Sequence, residues 1–190
     1  MVNNYSFLEN SLNSSFAFRS LLNATSYPGR SYNTNNLIKP NGLSNAAATI
    51  LITLCDNENN VYLSNELNVE EIRNWIIFHT GANISNKENA DFAVGKWEHL
   101  LPLDNFKIGT SEYPDKSSTL IIEESNFKKV KCNISGPGIR NKLQIHLPNP
   151  ELIIKNNCHY PLGIDFYFAN NLEIYSIPRS TKIEVINLES

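Results

Sequence analysis

The sequence predicts a mixed α/β fold with helices packed over one main sheet. Helical and strand-like segments follow one another along the chain without an internal repeat. No Pro/Gly/Ser-rich linker divides them, so residues 1–190 read as a single domain of a size that buries a real core. Closely spaced hairpin-like strands in the second half exclude a purely parallel sheet.

The first helix is expected over Asn13–Thr25, where Phe18, Leu21 and Leu22 share a face and Asn13 or Ser14 caps the start. Tyr27-Pro28-Gly29 ends it. Asn33–Asn41 is polar and reads as a surface loop. Ser44 or Asn45 then caps a helix over Ala46–Cys55, apolar on nearly all sides and therefore buried. Val61-Tyr62-Leu63 reads as a short strand. Asn68, with Glu71 three positions on, predicts a capping box for a third helix carrying Ile72, Trp75, Ile76 and His79, with Gly81 as its C-cap.

Further strands are expected at Ala90–Val94 and Ser118–Glu123, and at Val130–Ile134, where Val130, Cys132 and Ile134 alternate with Lys131 and Asn133. The connection Glu124–Lys129 predicts that the last two strands pair as a hairpin. Gly109–Ser117 reads as a loop. Lys142–Leu147 alternates so that His146 faces solvent, and a short helix runs from Pro148/Pro150 to Asn156. Strands at Ile164–Ala169, Leu172–Ile177 and Lys182–Ile186 complete the chain.

Composition narrows the function classes. A hydrophobic fraction of 41% and a charged fraction of 18% are those of a soluble globular protein. A net charge of −3 argues against nucleic acid or an anionic membrane surface as partner, since either selects a basic face. The longest apolar run, Ala46–Cys55, is too short to span a bilayer, and the N-terminus carries no secretory pattern. The three cysteines, Cys55, Cys132 and Cys158, are scattered; the first two read as buried small hydrophobes, and a reduced, cytoplasmic setting is expected.

Candidate site residues are few. Ser135-Gly136-Pro137-Gly138-Ile139 ends a strand in a rigid, side-chain-poor loop where Gly136 and Gly138 tolerate positive φ. Such a loop admits a phosphate, but Gly-Pro-Gly by itself reads first as a tight turn, and no Walker or dinucleotide spacing surrounds it. Arg179 with Ser180 and Thr181 is a fair oxyanion binder, or a strand-connecting turn. Arg19 and Arg30 are anion contacts or solvated charges. His79 is a general acid/base or a cation at a helix C-terminus. Asp165 orients a basic group, binds a cation or caps a turn. No metal-binding motif occurs.

The order of short motifs is more specific than any of them. Phe18-Arg19-Ser20-Leu21-Leu22, Pro28-Gly29, His79-Thr80-Gly81-Ala82 and Ala90-Asp91-Phe92-Ala93 come first. Gly109, Tyr113-Pro114, Ser118-Thr119 and Ser135-Gly136-Pro137-Gly138-Ile139 follow. Pro161-Leu162-Gly163-Ile164-Asp165 and Pro178-Arg179-Ser180-Thr181 complete the set. From about Phe16 to Ile186 the chain resembles the PhnH family, subunits of the bacterial carbon–phosphorus lyase core complex. One departure is Ala24-Thr25-Ser26-Tyr27-Pro28-Gly29 where the family pattern is Ala-Met-Ser-Arg-Pro-Gly, so a basic contact there is missing.

The resemblance implies a three-layer α/β/α fold similar to the large domain of type I pyridoxal-phosphate (PLP)-dependent transferases, without the cofactor. It implies a homodimer that joins the subunits PhnG, PhnI and PhnJ. It also implies a pathway that couples alkylphosphonate to the ribose of MgATP with release of adenine. The later radical step, with an iron–sulfur cluster and S-adenosylmethionine, belongs to PhnJ, and three scattered cysteines agree that it does not reside here. No lysine stands out as a Schiff-base residue; Lys182 comes nearest. Arg179, Ser180, Thr181 and the Ser135–Ile139 loop are then the groups suited to a triphosphate or phosphonate oxyanion. The alternative is a non-catalytic scaffold in the same complex, in which the motifs serve fold and interfaces. A free-standing hydrolase using His79 or Asp165 ranks last, for want of a nucleophile elbow, a zinc motif or paired carboxylates on one helix face.

Overall fold

The computed structural model describes residues 11–123 and 129–186. Five helices and ten strands follow in the order α1 (Ser11–Ser26), β1 (Tyr32–Asn33), α2 (Asn45–Leu54), β2 (Asn60–Leu63), α3 (Glu70–Thr80), β3 (Asn83–Ile84), β4 (Phe92–Gly95), α4 (Trp97–Leu100), β5 (Thr119–Glu123), β6 (Lys129–Ser135), β7 (Leu143–Pro148), α5 (Pro150–Asn157), β8 (Asp165–Asn170), β9 (Glu173–Ile177) and β10 (Lys182–Val185).

Among the described residues the strands form the mixed main sheet expected and, beside it, a second, smaller sheet that was not. The larger has seven strands in the order β1-β9-β8-β5-β4-β2-β3, and the smaller has three in the order β10-β6-β7. Strands β8, β5, β4, β2 and β3 run parallel, whereas β9 is antiparallel to β8 and to β1. The small sheet is antiparallel throughout.

The expected hairpin between Ser118–Glu123 and Val130–Ile134 does not form. The first strand pairs with β4 and β8, and the second pairs with β7 and β10. Burial explains the separation. Leu120, Ile121 and Ile122 are all fully buried, as befits a central parallel strand covered on both faces. In β6 only Cys132 and Ile134 are buried, so that strand turns one face to the core and one outward. Residues 124–128 of the connection lie outside the described residues.

The seven-stranded sheet is the middle of three layers. On one face Ile121, Tyr167 and Ala169 meet Leu21 and Ala24 of α1, Ala47, Ile50 and Leu51 of α2, and Ile72 and Ile76 of α3. On the other, Leu120, Ile122, Phe166 and Phe168 meet Trp97 and Leu100 of α4, Ile153 of α5, and Cys132, Ile134 and Leu147 of the small sheet. The alternation 120/122 against 121, and 166/168 against 167/169, follows from the two-residue period of a strand. The second outer layer is thus part sheet and part helix.

Two local expectations change. The buried stripe of α1 is Ala17, Leu21 and Ala24, while Phe18 and Leu22 are 56% and 53% exposed. The alanines let the helix lie close to the sheet. The start of α3 is Val69, which has no side-chain cap, and Asn68 instead accepts a bond from Arg73 Nη1 at 3.1 Å. Other expectations hold. Gly81 closes α3 in the left-handed conformation, with its N–H on the Ile77 carbonyl. Ser44 Oγ caps α2 by accepting from Ala47 N at 3.0 Å. Cys55 and Cys132 are buried, and His146 is exposed.

Candidate functional site

Arg179 and Asp165 meet. Asp165 is the first residue of β8, and Arg179 sits in the turn that leaves β9. Asp165 Oδ1 accepts the Arg179 backbone N–H at 2.8 Å and Nε–H at 3.1 Å, and Oδ2 accepts from Nη2 at 2.5 Å. Nη1 donates to the Pro114 carbonyl at 2.8 Å and to that of Pro161 at 3.5 Å, and Nη2 also donates to Ser117 Oγ. The five N–H groups of a guanidinium are therefore all engaged. Only 14% of the arginine side chain and 28% of the aspartate is exposed. The arrangement is a clasp that draws the loops at 114–117 and 161 and the 178–181 turn onto the N-terminal edge of β5 and β8. No N–H of Arg179 is left over for an oxyanion.

Ser135 and Gly136 lie beside Ser180 and Thr181, because β10 pairs with β6 in the register Lys182–Ser135. A Cβ on Gly136 would stand 3.1 Å from the Ser180 carbonyl oxygen. The Ile139 N–H closes on the Gly136 carbonyl at 3.1 Å, and Gly138 has φ +77°, which is the pattern of a type II turn with Pro137 at its second position. Gly138 rests on the end of α1, and a Cβ there would fall 1.8 Å from the Ser26 oxygen. The Gly-Pro-Gly loop is thus filled by the chain's own backbone. Thr181 is 2% exposed and its Oγ1 has no hydrogen-bond partner, although its carbonyl accepts from Asn157 Nδ2 at 2.7 Å.

His79 and Arg19 stand apart from this cluster. His79 is in the last turn of α3, which flanks β3 at the far edge of the large sheet. Its ring packs 4.7 Å from Trp75 and 5.0 Å from Phe78, and burial lowers its pKa, favouring the neutral imidazole. Arg19 is on the exposed face of α1. Among the described residues no group of three or more His, Cys, Asp or Glu side chains is placed to hold a metal ion, and no helix is long and apolar enough to cross a membrane.

Concavities among the described residues include two away from the clasp. A groove of about 490 Å³ runs between Leu101–Ile108 and α5. Its buried polar group is already matched: Asn156 accepts the Ile164 N–H at 2.8 Å and donates to the Ile164 carbonyl at 2.9 Å. Lys155 pairs with Asp104 at 3.2 Å. A smaller pocket of about 290 Å³ lies at the opposite edge of the sheet from the clasp, among Gly42, Ser64, Glu66, Leu67, Lys96 and Glu123. Ser64 follows β2, Lys96 follows β4, and Glu123 ends β5. The chain leaves β2 for α3 on one face and leaves β4 for α4 on the other. The crevice between two such strands, at their carboxyl ends, is where open α/β sheets bind ligands.

The pocket is electrostatically mixed. Glu123 Oε1 accepts the Ser44 N–H at the start of α2 at 2.7 Å. Burial pushes the Glu123 carboxyl above its usual range, against the smaller opposing effects of Ser44 and Lys39. Lys96 and Glu66 pair at 2.7 Å at the rim, and their mutual contact lowers the glutamate pKa and raises the lysine's. None of these residues was among the sequence candidates, since they belong to no local motif. The available signal was positional: Ser64, Lys96 and Glu123 each stand at the carboxyl end of a strand run.

Comparison with known proteins agrees with the motif order. The family described as "PhnH: Bacterial phosphonate metabolism protein (PhnH)" matches residues 6–184. A Rhizobium meliloti (strain 1021) protein named alpha-D-ribose 1-methylphosphonate 5-triphosphate synthase subunit PhnH is 34% identical over 176 residues, covering 88% of each chain. A Stutzerimonas stutzeri protein named putative C-P lyase subunit protein HtxG is 28% identical over 180 residues, covering 89% of this chain and 85% of its own. With the family matched over nearly the whole length, the chain belongs to the PhnH family of bacterial phosphonate-metabolism proteins.

Proposed function

We propose that this chain is a subunit of a carbon–phosphorus lyase core complex, assembling in the cytoplasm as a homodimer with PhnG, PhnI and PhnJ. In that complex it supports transfer of the ribose triphosphate moiety of MgATP to methylphosphonate. A phosphonate oxygen forms a bond to the anomeric carbon of the ribose as the bond from that carbon to adenine breaks, and adenine leaves with a proton. Family membership supports the setting. The role within it is assembly, and the saturation of Arg179 carries that reading: the arginine best suited to an oxyanion is fully occupied within its own chain. The layered architecture around a mixed sheet is compatible with similarity to the large domain of type I PLP-dependent transferases. The chain works without that cofactor, Lys182 being exposed at the start of β10.

The test is co-expression with PhnG, PhnI and PhnJ, capture through a tag on this chain, and assay of adenine released from MgATP with methylphosphonate. Wild type is expected to bring down the partners and release adenine. Arg179→Ala should lower captured complex and adenine release together, by roughly tenfold or more, because it strands a part-buried carboxylate. Lys182→Ala should lower neither. If Arg179→Ala assembles fully and yet fails to release adenine, the arginine acts on substrate and the assembly role is wrong.

A further inference from the structure

The pocket at the ends of β2, β4 and β5 holds a hydroxyl that the fold does not use. Ser64 is 1% exposed and its Oγ has no partner. The backbone around it is fully served: its N–H donates to the Val94 carbonyl at 2.9 Å, and its carbonyl accepts from Leu67 and Asn68 at 2.8 and 2.9 Å. Its Cβ packs on Gly95, where an added Cβ would stand only 2.7 Å away, and an alanine would pack there as well. A buried hydroxyl left without a bond is costly, so its place in the lining of a concavity points to a bond made to something that enters.

The surrounding charges say what that is. Glu66 and Glu123 line the pocket with one lysine, Lys96, while Lys39 acts on Glu123 from outside the lining as the smallest of the influences on it. Lys96 is already paired with Glu66, and Lys39 acts on Glu123 only weakly, so the carboxylate without a cation in direct contact is Glu123, whose bond to Ser44 uses a neutral donor. The positive end of α2 is taken up by that same carboxylate and is closed to an outside anion. A nucleoside triphosphate is excluded by charge. Its size is also wrong, since 290 Å³ is at the lower limit of small-molecule sites. A metal ion lacks converging ligands, since among the described residues no group of three His, Cys, Asp or Glu side chains is placed to hold one, and His99 lies only against Glu66, at 3.8 Å. An ammonium group suits the deep end: it is a compact cation with three donors and no acceptor.

We propose that this pocket binds the primary ammonium of a small aminoalkyl ligand between the Glu123 carboxylate and the Ser64 hydroxyl. An anionic group at the other end of the ligand exchanges with Glu66 for Lys96 at the rim. The proposal is independent of the assembly role, because it concerns a site complete within one chain.

The test is titration calorimetry on the purified full-length chain with ethylamine, 2-aminoethylphosphonate and ethylphosphonate, the last lacking the ammonium. Both amines are expected to saturate the protein, 2-aminoethylphosphonate the more tightly, and ethylphosphonate to bind at least about tenfold more weakly than its amino counterpart. Glu123→Gln keeps an acceptor for the Ser44 N–H while removing the charge, and should weaken both amines about tenfold or more. Ser64→Ala should weaken them severalfold without lowering the melting temperature of the ligand-free protein, which a merely structural hydroxyl would not allow. Absence of amine binding up to about 10 mM overturns the proposal. So does equal binding of ethylphosphonate and 2-aminoethylphosphonate, or amine affinity unchanged by both substitutions. Such results leave the complex-subunit reading untouched, since that is read from adenine release and not from this titration.

Discussion

At the scale of single residues, Gly138 and Thr181 show two ways in which the motif segments serve packing. Gly138 needs its hydrogen twice over, for φ +77° and for the Ser26 oxygen that a Cβ would meet at 1.8 Å. A backbone oxygen at a helix end cannot rotate aside as a side chain can. Gly138→Ala is therefore expected to destabilise the protein by about 3–5 kcal/mol, read as a fall in the urea midpoint. A loss under about 1 kcal/mol would mean that the loop moves freely off α1. Thr181 is the opposite case, since its buried Oγ1 has no partner to lose. Thr181→Val replaces that oxygen by a methyl of like shape and should raise stability by roughly 1 kcal/mol. A drop instead would reveal a bond that the threonine makes in solution.

At the scale of elements, the chain is legible where pattern and burial agree. The α3 stripe of Ile72 and Ile76 and its Gly81 stop, the Ser44 cap of α2, and the alternation in β6 and β7 are all readable in sequence. The partner of each strand is not, because Glu123 and Val130 are close in sequence yet their strands belong to different layers. The contrast between a wholly apolar Leu120-Ile121-Ile122 and an alternating Val130–Ile134 was the clue to that separation. In α1 the same periodicity served two stripes, and only the sheet beneath decided for the alanines. The Arg179–Asp165 contact was foreseeable only as a possibility for each residue, and the Ser64–Glu123 pocket was hidden because its members are dispersed over three strand ends.

Glu123 also joins two elements, the end of β5 and the start of α2, and so sets a pH dependence. Its folded pKa lies above the unfolded value, with Lys39, Lys96 and Glu66 the charged groups around it. The folded state then holds more protons than the unfolded one between the two values. Stability falls as pH rises from the ordinary carboxyl range through the raised pKa, and the penalty is fully present above it. Glu123→Gln removes that dependence while keeping an acceptor for Ser44. Melting curves between about pH 4 and pH 7 should show the ligand-free variant losing less stability than wild type as pH rises. Parallel curves would mean that water reaches the carboxylate freely.

At the scale of the whole molecule, the two ends of the large sheet's strands are built differently. The amino ends of β5 and β8 are clasped shut by Arg179, and the carboxyl ends of β2, β4 and β5 enclose the pocket. If both proposals hold, ligand binding at one end and assembly through the other can vary separately. The lateral borders carry one more consequence. The seven-stranded sheet finishes on β1 and β3, each two residues long. Strands that short offer almost no free row of amides and carbonyls to template a neighbour's backbone. Crowded with copies of itself, the large sheet resists runaway strand addition and fibre growth, so association along its own borders falls to side-chain surfaces, which can be made specific for the right company.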